Sequence, residues 1–445
     1  MKGNAARRRN VFVIGLDDEH RRDLETIPDR DRFRFHGLLE REEVRVECDV
    51  DGMIEKAEAA LRAFDGPVDA IIGYWDFPVT AVASILCKTF DLPSPSLEAV
   101  LRCAHKYWGR LEQQRSLPEH TPPFCAVDPF SDDPLSEVDI DFPFWLKPVC
   151  GYSSTLGFRI NNAHDFERAI DAARREIRRF GEPFNRVLER VDTSGLGGVG
   201  GNYMLAEAML QGVELAPEGS IRNGNFAVHG VIDMVRAPNH KSFKDYRYPS
   251  IHPRRVQDRA GDIVERFVRA IGYDNGCFNV EFFWNQDTDE LHLIEFNPRI
   301  SQSHSGMMAM VDGMSNHEVA IHVALGDKPA FEHGGGPYDM AAKFLYRRFD
   351  PGDAVCVSSP GKADLERLRK SQPDTRVSIK VEKGTRLDET VDQDAYSWVL
   401  AELIIGGDDV SDLNAKFEEA KRLLPFRFEP ITSDRSHPDD EEVQK

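Results

Sequence analysis

The stretch that decides the fold runs from residue 278 to residue 299 and reads F-N-V-E-F-F-W-N-Q-D-T-D-E-L-H-L-I-E-F-N-P-R. Two apolar runs rich in aromatic and branched side chains flank the polar segment Asn285–Glu290. This pattern predicts an antiparallel β-hairpin. A turn near Thr288 places Glu281 directly opposite Glu295, so the sequence brings two carboxylates together inside otherwise apolar strands.

Three oxygen-bearing side chains then share one face of the hairpin, because strand side chains alternate and Asn297 follows Glu295 by two residues. Opposed like charges destabilise a sheet unless something compensates them. Two carboxylates and an amide oxygen suit Mg²⁺, which keeps waters and substrate phosphate oxygens as its other ligands. A solvated face, or a bulge that shifts the register, is an equal alternative on geometry alone. Arg299 favours the metal, because a cation beside a metal–phosphate centre stabilises a developing oxyanion.

Composition limits the classes of function. The chain has 445 residues, with 56 Lys+Arg against 76 Asp+Glu and a formal net charge of −20. At about 150 residues per domain this length predicts two or three domains. The hydrophobic content of 41% excludes global disorder. The negative charge repels phosphate backbones and anionic lipid surfaces, so neither nucleic acid nor membrane is an expected partner, and phosphate must be bound in a local basic pocket.

The ends and the cysteines indicate a cytoplasmic protein. The seven cysteines are dispersed and form no C-x-x-C pair, which favours a reducing compartment. The apolar run of residues 11–16 is too short for an export signal. No stretch reaches the roughly 18 uninterrupted apolar residues of a membrane span.

The order of patterns along the chain predicts an α/β protein with an α+β central part. Residues 1–100 alternate short β-type runs with helical patterns, as an open α/β domain does. Residues 101–333 form a central domain that contains the hairpin, a helix near residues 101–115, and a glycine-rich surface loop at 194–202. Residues 334–432 predict a smaller α/β domain, and the polar residues 433–445 a disordered tail.

At these residues the chain resembles the ATP-grasp superfamily. The sequence E-F-N-P-R of residues 295–299 is similar to its E-x-N-x-R signature, and I-S-Q-S-H-S-G of residues 300–306 to the carbamoyl-phosphate-synthase-like branch. The resemblance implies an ATP-grasp fold with an N-terminal Rossmann-like domain and a small C-terminal domain. It also implies ATP and Mg²⁺ as cofactors, with Mn²⁺ as a substitute.

The resemblance implies a role for each matching residue. Lysines supply charge for the phosphates, and a Gly/Ser turn lets backbone N–H groups approach them. His105 stands where the family usually has an aspartate before its first nucleotide lysine. Each of these residues, taken alone, could have an ordinary structural role. Their order along the chain, taken together, favours the family. The implied roles are metal binding by Glu281, Glu295 and Asn297, catalysis by Arg299 and Lys147, and ATP binding by Lys106, Lys147, Gly151, Ser153, Ser154, Glu207, Ala208, Leu210 and Glu214.

The expected function is an ATP-dependent carboxylate–amine ligase that acts on small molecules, as a homodimer. One alternative is a bicarbonate-activating carboxylase or carbamoyl-phosphate-type enzyme, although no A-M-K-M-like biotinylation sequence is present. Another is a non-catalytic ATP-binding regulatory protein. The basic stretch 240–255 offers His252, Arg254 and Arg255 to a carboxylate substrate, with an exposed loop as an equal alternative. Residues 74–77 end an α/β strand, where ligands tend to bind, although aromatic packing is slightly preferred there.

Overall fold

The computed structural model describes residues 7–44, 49–151, 156–239, 241–329, 331–350, 352–390, 393 and 396–431. The chain divides into two compact units, the first of Met1–Val235 with Tyr246–Ala341, the second of Arg236–Asp245 with Ala342–Lys445. The predicted boundary at residue 100 lies inside the first unit, and the three-domain division remains a prediction. The predicted tail lies outside the described residues.

The N-terminal part of the first unit is a parallel α/β sheet in the order β2-β1-β3. Both sheet faces are apolar, as the predicted strands require. Val11 and Val13 pack on one side with residues of α10, and Phe12 and Ile14 on the other side with residues of α2 and α3. The elements are β1 (Arg9–Ile14), α1 (Asp18–Glu25), β2 (Phe33–Leu38), α2 (Val50–Ala63), β3 (Ala70–Gly73), α3 (Val79–Thr89) and α4 (Leu97–Ala104), with α10 (Asn316–Ala324) from later in the chain.

A four-stranded antiparallel sheet follows, in the order β4-β7-β5-β6. The predicted single helix near residues 101–115 is instead two helices, α4 and α5. His105 separates them with an extended backbone, and its ring accepts a hydrogen bond from the Trp108 backbone N–H, which caps α5. The elements are α5 (Lys106–Ser116), β4 (Phe124–Val127), β5 (Phe144–Pro148), β6 (Phe158–Ile160), α6 (Ala163–Glu176), α7 (Arg178–Leu188) and β7 (Met204–Ala208).

A second antiparallel sheet contains the predicted hairpin, with neighbouring strands in the order β12-β11-β8-β9. Its apolar face, with Phe278, Val280 and Phe282, packs on α8 through Val264 and Phe267. The alternation that buries these residues leaves the opposite face to polar side chains. The elements are β8 (Val213–Arg222), β9 (Asn225–Arg236), β10 (Phe243–Tyr248), α8 (Arg254–Ile271), β11 (Gly276–Trp284), β12 (Leu291–Asn297) and α9 (Gln302–Asp312).

The second unit alternates strands and helices, and a separate domain of residues 334–432 remains a prediction. Strands β15 and β16 pair antiparallel, as do β14 and β17. Phe344 and Phe417 stack with ring centroids 4.3 Å apart in its core. No helix in the described part of the chain is long and apolar enough to span a bilayer. The elements are β13 (Met340–Arg348), β14 (Ala354–Ser358), α11 (Lys362–Ser371), β15 (Arg376–Ile379), β16 (Trp398–Gly407), α12 (Val410–Leu423) and β17 (Arg427–Pro430).

Candidate active site

The hairpin pairs its two glutamates as the sequence predicts. Glu281 lies opposite Glu295, and Asn279 lies opposite Asn297. A bulge does occur, but on the turn side of the glutamates: Phe282 pairs with Leu293, which leaves Ile294 as the extra residue of β12. The register change therefore leaves the carboxylate pair intact.

Arg110 of α5 holds the bulge and was not predicted as part of the site. Its side chain is 2% exposed, and its guanidinium donates to the backbone carbonyls of Leu293 (2.8 Å) and Ile294 (2.9 Å). Its Nε atom also donates to Glu207 Oε1 at 2.5 Å. Arg110 thus donates to three buried acceptors. Backbone carbonyls that a bulge removes from the strand pairing need hydrogen-bond donors from elsewhere.

Glu207 lies between two cations, Arg110 and Lys147. Lys147 Nζ lies 2.6 Å from the second carboxylate oxygen of Glu207. Burial opposes ionisation of this carboxyl, but the charges of Arg110 and Lys147 outweigh it and lower the Glu207 pKa to about 2. Glu207 is therefore ionised at neutral pH, and it joins α5 to β5 and β7.

The nucleotide-binding roles of β7 and β8 remain predictions. Strand β7 ends at Ala208, so Leu210 lies beyond the end of the strand. Glu214 lies on β8, next to Phe283 of β11 and Met234 of β9. Ser153 and Ser154 lie outside the described residues.

Each of the remaining cations of the site also has an acidic partner. Lys106 Nζ lies 2.9 Å from Glu295 Oε1 and donates to the Gly151 carbonyl at 2.8 Å. Arg299 makes a two-bond contact with Asp76, at 2.7 and 2.8 Å, and its Nη2 donates to Asn297 Oδ1 at 3.3 Å. Asp76 follows β3, so the N-terminal sheet contributes directly to this site.

Glu281 differs from these carboxylates because no ion pair of the described residues supplies it with a cation. Burial raises the pKa of Glu281, the charges of Glu295 and Glu214 raise it further, and it reaches about 7. For Glu295, burial is outweighed by Lys106 and then Lys147, which lower its pKa. One member of the pair is thus ionised while the other holds a proton until near neutral pH.

These features fit a divalent cation, which would supply the positive charge that Glu281 lacks. Among the described residues, no group of three or more His, Cys, Asp or Glu side chains is arranged to hold a metal. A cation here would therefore need the amide oxygen of Asn297 and ligands from substrate or water. This is the coordination that Mg²⁺ favours.

The pKa of Glu281 gives a pH prediction. Because its folded pKa lies above the ordinary value of 4.5, ionising Glu281 destabilises the metal-free protein as pH rises towards 7. Mg²⁺ needs the ionised form, so we expect the rise in melting temperature on adding MgCl₂ to be larger at about pH 8 than at about pH 6. Thermal melts with and without MgCl₂ measure this. Glu281→Gln should abolish the pH dependence, and an equal gain at both pH values would contradict it.

A second buried carboxylate, Glu218 of β8, organises the segment after the hairpin. It is 1% exposed and accepts hydrogen bonds from the Ser301 backbone (2.9 Å), Asn316 (3.0 Å) and Asn279 (3.2 Å). The His304 ring lies 2.8 Å from Glu218 Oε2, the oxygen that also accepts from Asn279. These bonds fix the residues whose sequence resembles the carbamoyl-phosphate-synthase-like branch.

A small cavity lies against the hairpin. Four predicted site residues, Lys106, Gly151, Glu295 and Asn297, line it. Gly151 has φ +151°, a backbone conformation that side-chain-bearing residues rarely adopt. The other lining residues are Asp76, Phe77, Thr80, Ala104, Cys150, Phe180, Phe296 and Pro298.

The predicted substrate residues lie elsewhere. Arg254 pairs with Asp258 and Arg255 with Asp289, each at 2.8 Å on the surface. His252 lies 3.5 Å from Asp233, against the Trp284 ring. None of the three lines the cavity, and their role in substrate binding remains a prediction.

Comparison with known proteins identifies the type of domain in the central part of the chain. Residues 140–306 match the ATP-grasp domain family model. The crystal structure of L-amino acid ligase from Bacillus licheniformis superposes with a TM-score of 0.73 at 16% identity, over 95% of this chain and 99% of that one. Residues 140–306 therefore match the ATP-grasp domain family, and the fold of the chain is similar to that of this ligase.

Two curated proteins are also similar. Uncharacterized protein y4rH of Sinorhizobium fredii is 24% identical over 300 residues, which are 62% of this chain and 55% of that protein. The carbamoyl phosphate synthase large chain of Bifidobacterium adolescentis is 35% identical over 72 residues, which are 16% of this chain and 6% of that protein. The chain thus matches about half the length of the first and a small part of the second.

Proposed function

We propose that the protein is an ATP-dependent carboxylate–amine ligase. It activates a small carboxylate as an acylphosphate, and an amine then displaces phosphate to form an amide or peptide-like bond. The observation that carries this proposal is the opposed pair Glu281–Glu295, in which Glu281 makes no ion pair within the described residues, beside Lys106 and Arg299. The L-amino acid ligase of similar fold supports the same class of reaction.

Each residue has a task in the proposed reaction. Glu281, Glu295 and Asn297 hold Mg²⁺, which when bound neutralises phosphate charge; Mn²⁺ is expected to substitute for it. Lys106 and Lys147 provide fixed positive charge for the phosphates. Arg299 faces the transferred phosphoryl group and then the oxyanion of the tetrahedral intermediate. In chemical terms, a carboxylate oxygen attacks the γ-phosphorus and ADP leaves; the amine nitrogen then attacks the acyl carbon, phosphate leaves, and the nitrogen loses a proton.

The test is a matrix of small carboxylates and amines, amino acids included, with ADP and phosphate release as the readout. We expect release that requires both an acid and an amine in at least one combination. ATP turnover indifferent to every pair would contradict the proposal.

Homodimer formation and cytoplasmic location also remain proposals. Sedimentation of the purified protein tests the first, and cell fractionation tests the second.

A bicarbonate-activating reaction is the second candidate, because the local match to a carbamoyl phosphate synthase large chain favours it. Bicarbonate-dependent ADP release without an organic acid would select it. The third possibility, an ATP-binding regulatory protein, predicts Mg-ATP binding without turnover across the whole matrix.

A further inference from the structure

The cavity has two walls of different chemistry. One is formed by the hairpin, and the other by the residues that follow β3. The hairpin side presents Glu295 and Asn297, with Lys106 beside them. The β3 side presents Asp76, Phe77 and Thr80 at the start of α3. Asp76 and Thr80 belong to one turn of chain, since the Thr80 backbone N–H donates to the Asp76 carbonyl at 3.4 Å.

Thr80 has an unused hydroxyl. The residue is 7% exposed, it lines the cavity, and its Oγ1 atom has no hydrogen-bond partner within the described ranges of the chain. A buried hydroxyl without a partner destabilises a folded protein, and such groups are few in native structures. A ligand group in the cavity would complete this hydrogen bond.

We propose that Asp76, Phe77 and Thr80 form the subsite for the amine substrate, an inference that rests on the proposed ligase function. A carboxylate and a hydroxyl oxygen accept hydrogen bonds from N–H groups, and the Phe77 ring, which packs 4.7 Å from the Phe184 ring, offers an apolar surface to the attached hydrocarbon. The Asp76 side chain is 36% exposed, so its contact with Arg299 leaves it open to the cavity. Both Asp76 oxygens accept from Arg299, but a carboxylate has about four lone-pair sites, so Asp76 can also accept from an N–H group, which a second carboxylate does not supply.

The position of the subsite suits the reaction. Asp76 holds the guanidinium of Arg299 at 2.7 and 2.8 Å, and Arg299 faces the acyl phosphate in the proposed reaction. An amine bound at Asp76 and Thr80 therefore lies beside the group that stabilises the tetrahedral intermediate. Holding the nucleophile there contributes to the rate through proximity.

Thr80→Val tests the subsite because it removes the hydroxyl and keeps nearly the same shape. We expect the KM for the amine to rise about tenfold, as for loss of one hydrogen bond to a ligand. The KM for Mg-ATP should stay unchanged, and Thr80→Ser should retain the wild-type KM for the amine. The melting temperature of the ligand-free Thr80→Val protein should be equal to or above that of wild type, because an unpaired buried hydroxyl is removed.

Thr89→Val is the matched control on the same helix. Its hydroxyl is exposed and donates to the Ile85 carbonyl at 3.1 Å, away from the cavity, so the amine KM should not change. An unchanged amine KM in Thr80→Val, or a melting temperature several degrees below wild type, would overturn the subsite while the ligase function stands. Absence of any acid- and amine-dependent ADP release by the wild type would contradict both.

Discussion

Glu295→Gln is expected to lower kcat by about 10³-fold or more, because it removes one of the two charges proposed to hold the cation. The substitution also leaves Lys106 without its carboxylate partner, which lies 2.9 Å away in the wild type. Steady-state ADP release, measured with a carboxylate and amine found in the substrate matrix, checks this. Mg-ATP binding by titration should weaken in parallel.

Glu290→Gln is the control for this variant. Glu290 lies in the turn of the same hairpin, exposed, with its carboxylate accepting from the Thr288 hydroxyl at 2.8 Å. It should keep activity within about twofold, since exposed contacts of this kind contribute little. A Glu295→Gln protein that melts like wild type and retains activity within tenfold would contradict the assigned role.

Arg110→Met has the largest expected effect on stability. It leaves Glu207 with one cation instead of two, and the bulge carbonyls of Leu293 and Ile294 lose their donor. Breaking a buried ion pair by removing one partner destabilises a protein by about 3–5 kcal/mol. We therefore expect a clear fall in melting temperature, measured by differential scanning calorimetry.

Arg186→Met on α7 provides the comparison. The Arg186 side chain is 67% exposed and lies 3.6 Å from Glu189, which is 65% exposed, so its loss should change stability by no more than about 1 kcal/mol. Equal melting temperatures for Arg110→Met and Arg186→Met would show that the buried contacts of Arg110 do not stabilise the fold.

The hairpin could be predicted from sequence because strand periodicity and turn position fix which residues face each other. Glu281 and Glu295 needed no other segment of the chain for their pairing. The bulge at Ile294 could not be located, because it depends on the donors that Arg110 brings from α5. His105 likewise ends a helix through its backbone conformation and ring, while the apolar pattern continues across it.

The contacts that were not predicted join distant parts of the chain. Asp76 and Arg299 are separated by 223 positions, and Arg110 and Leu293 by 183. No local pattern predicts such pairs, because they form only when two folded segments meet. Thr80 could not be recognised for a related reason: in sequence it is one of several polar residues in a largely apolar helix, and only the folded structure places its hydroxyl in the cavity.

The central claim, that the enzyme forms an acylphosphate, is tested most directly by following oxygen. A carboxylate substrate labelled with the heavy oxygen isotope in its carboxyl group is turned over with Mg-ATP and the amine, and the released phosphate is analysed by mass spectrometry. The account predicts transfer of one labelled oxygen from the carboxylate to phosphate. Unlabelled phosphate, released together with the amide product, would contradict it.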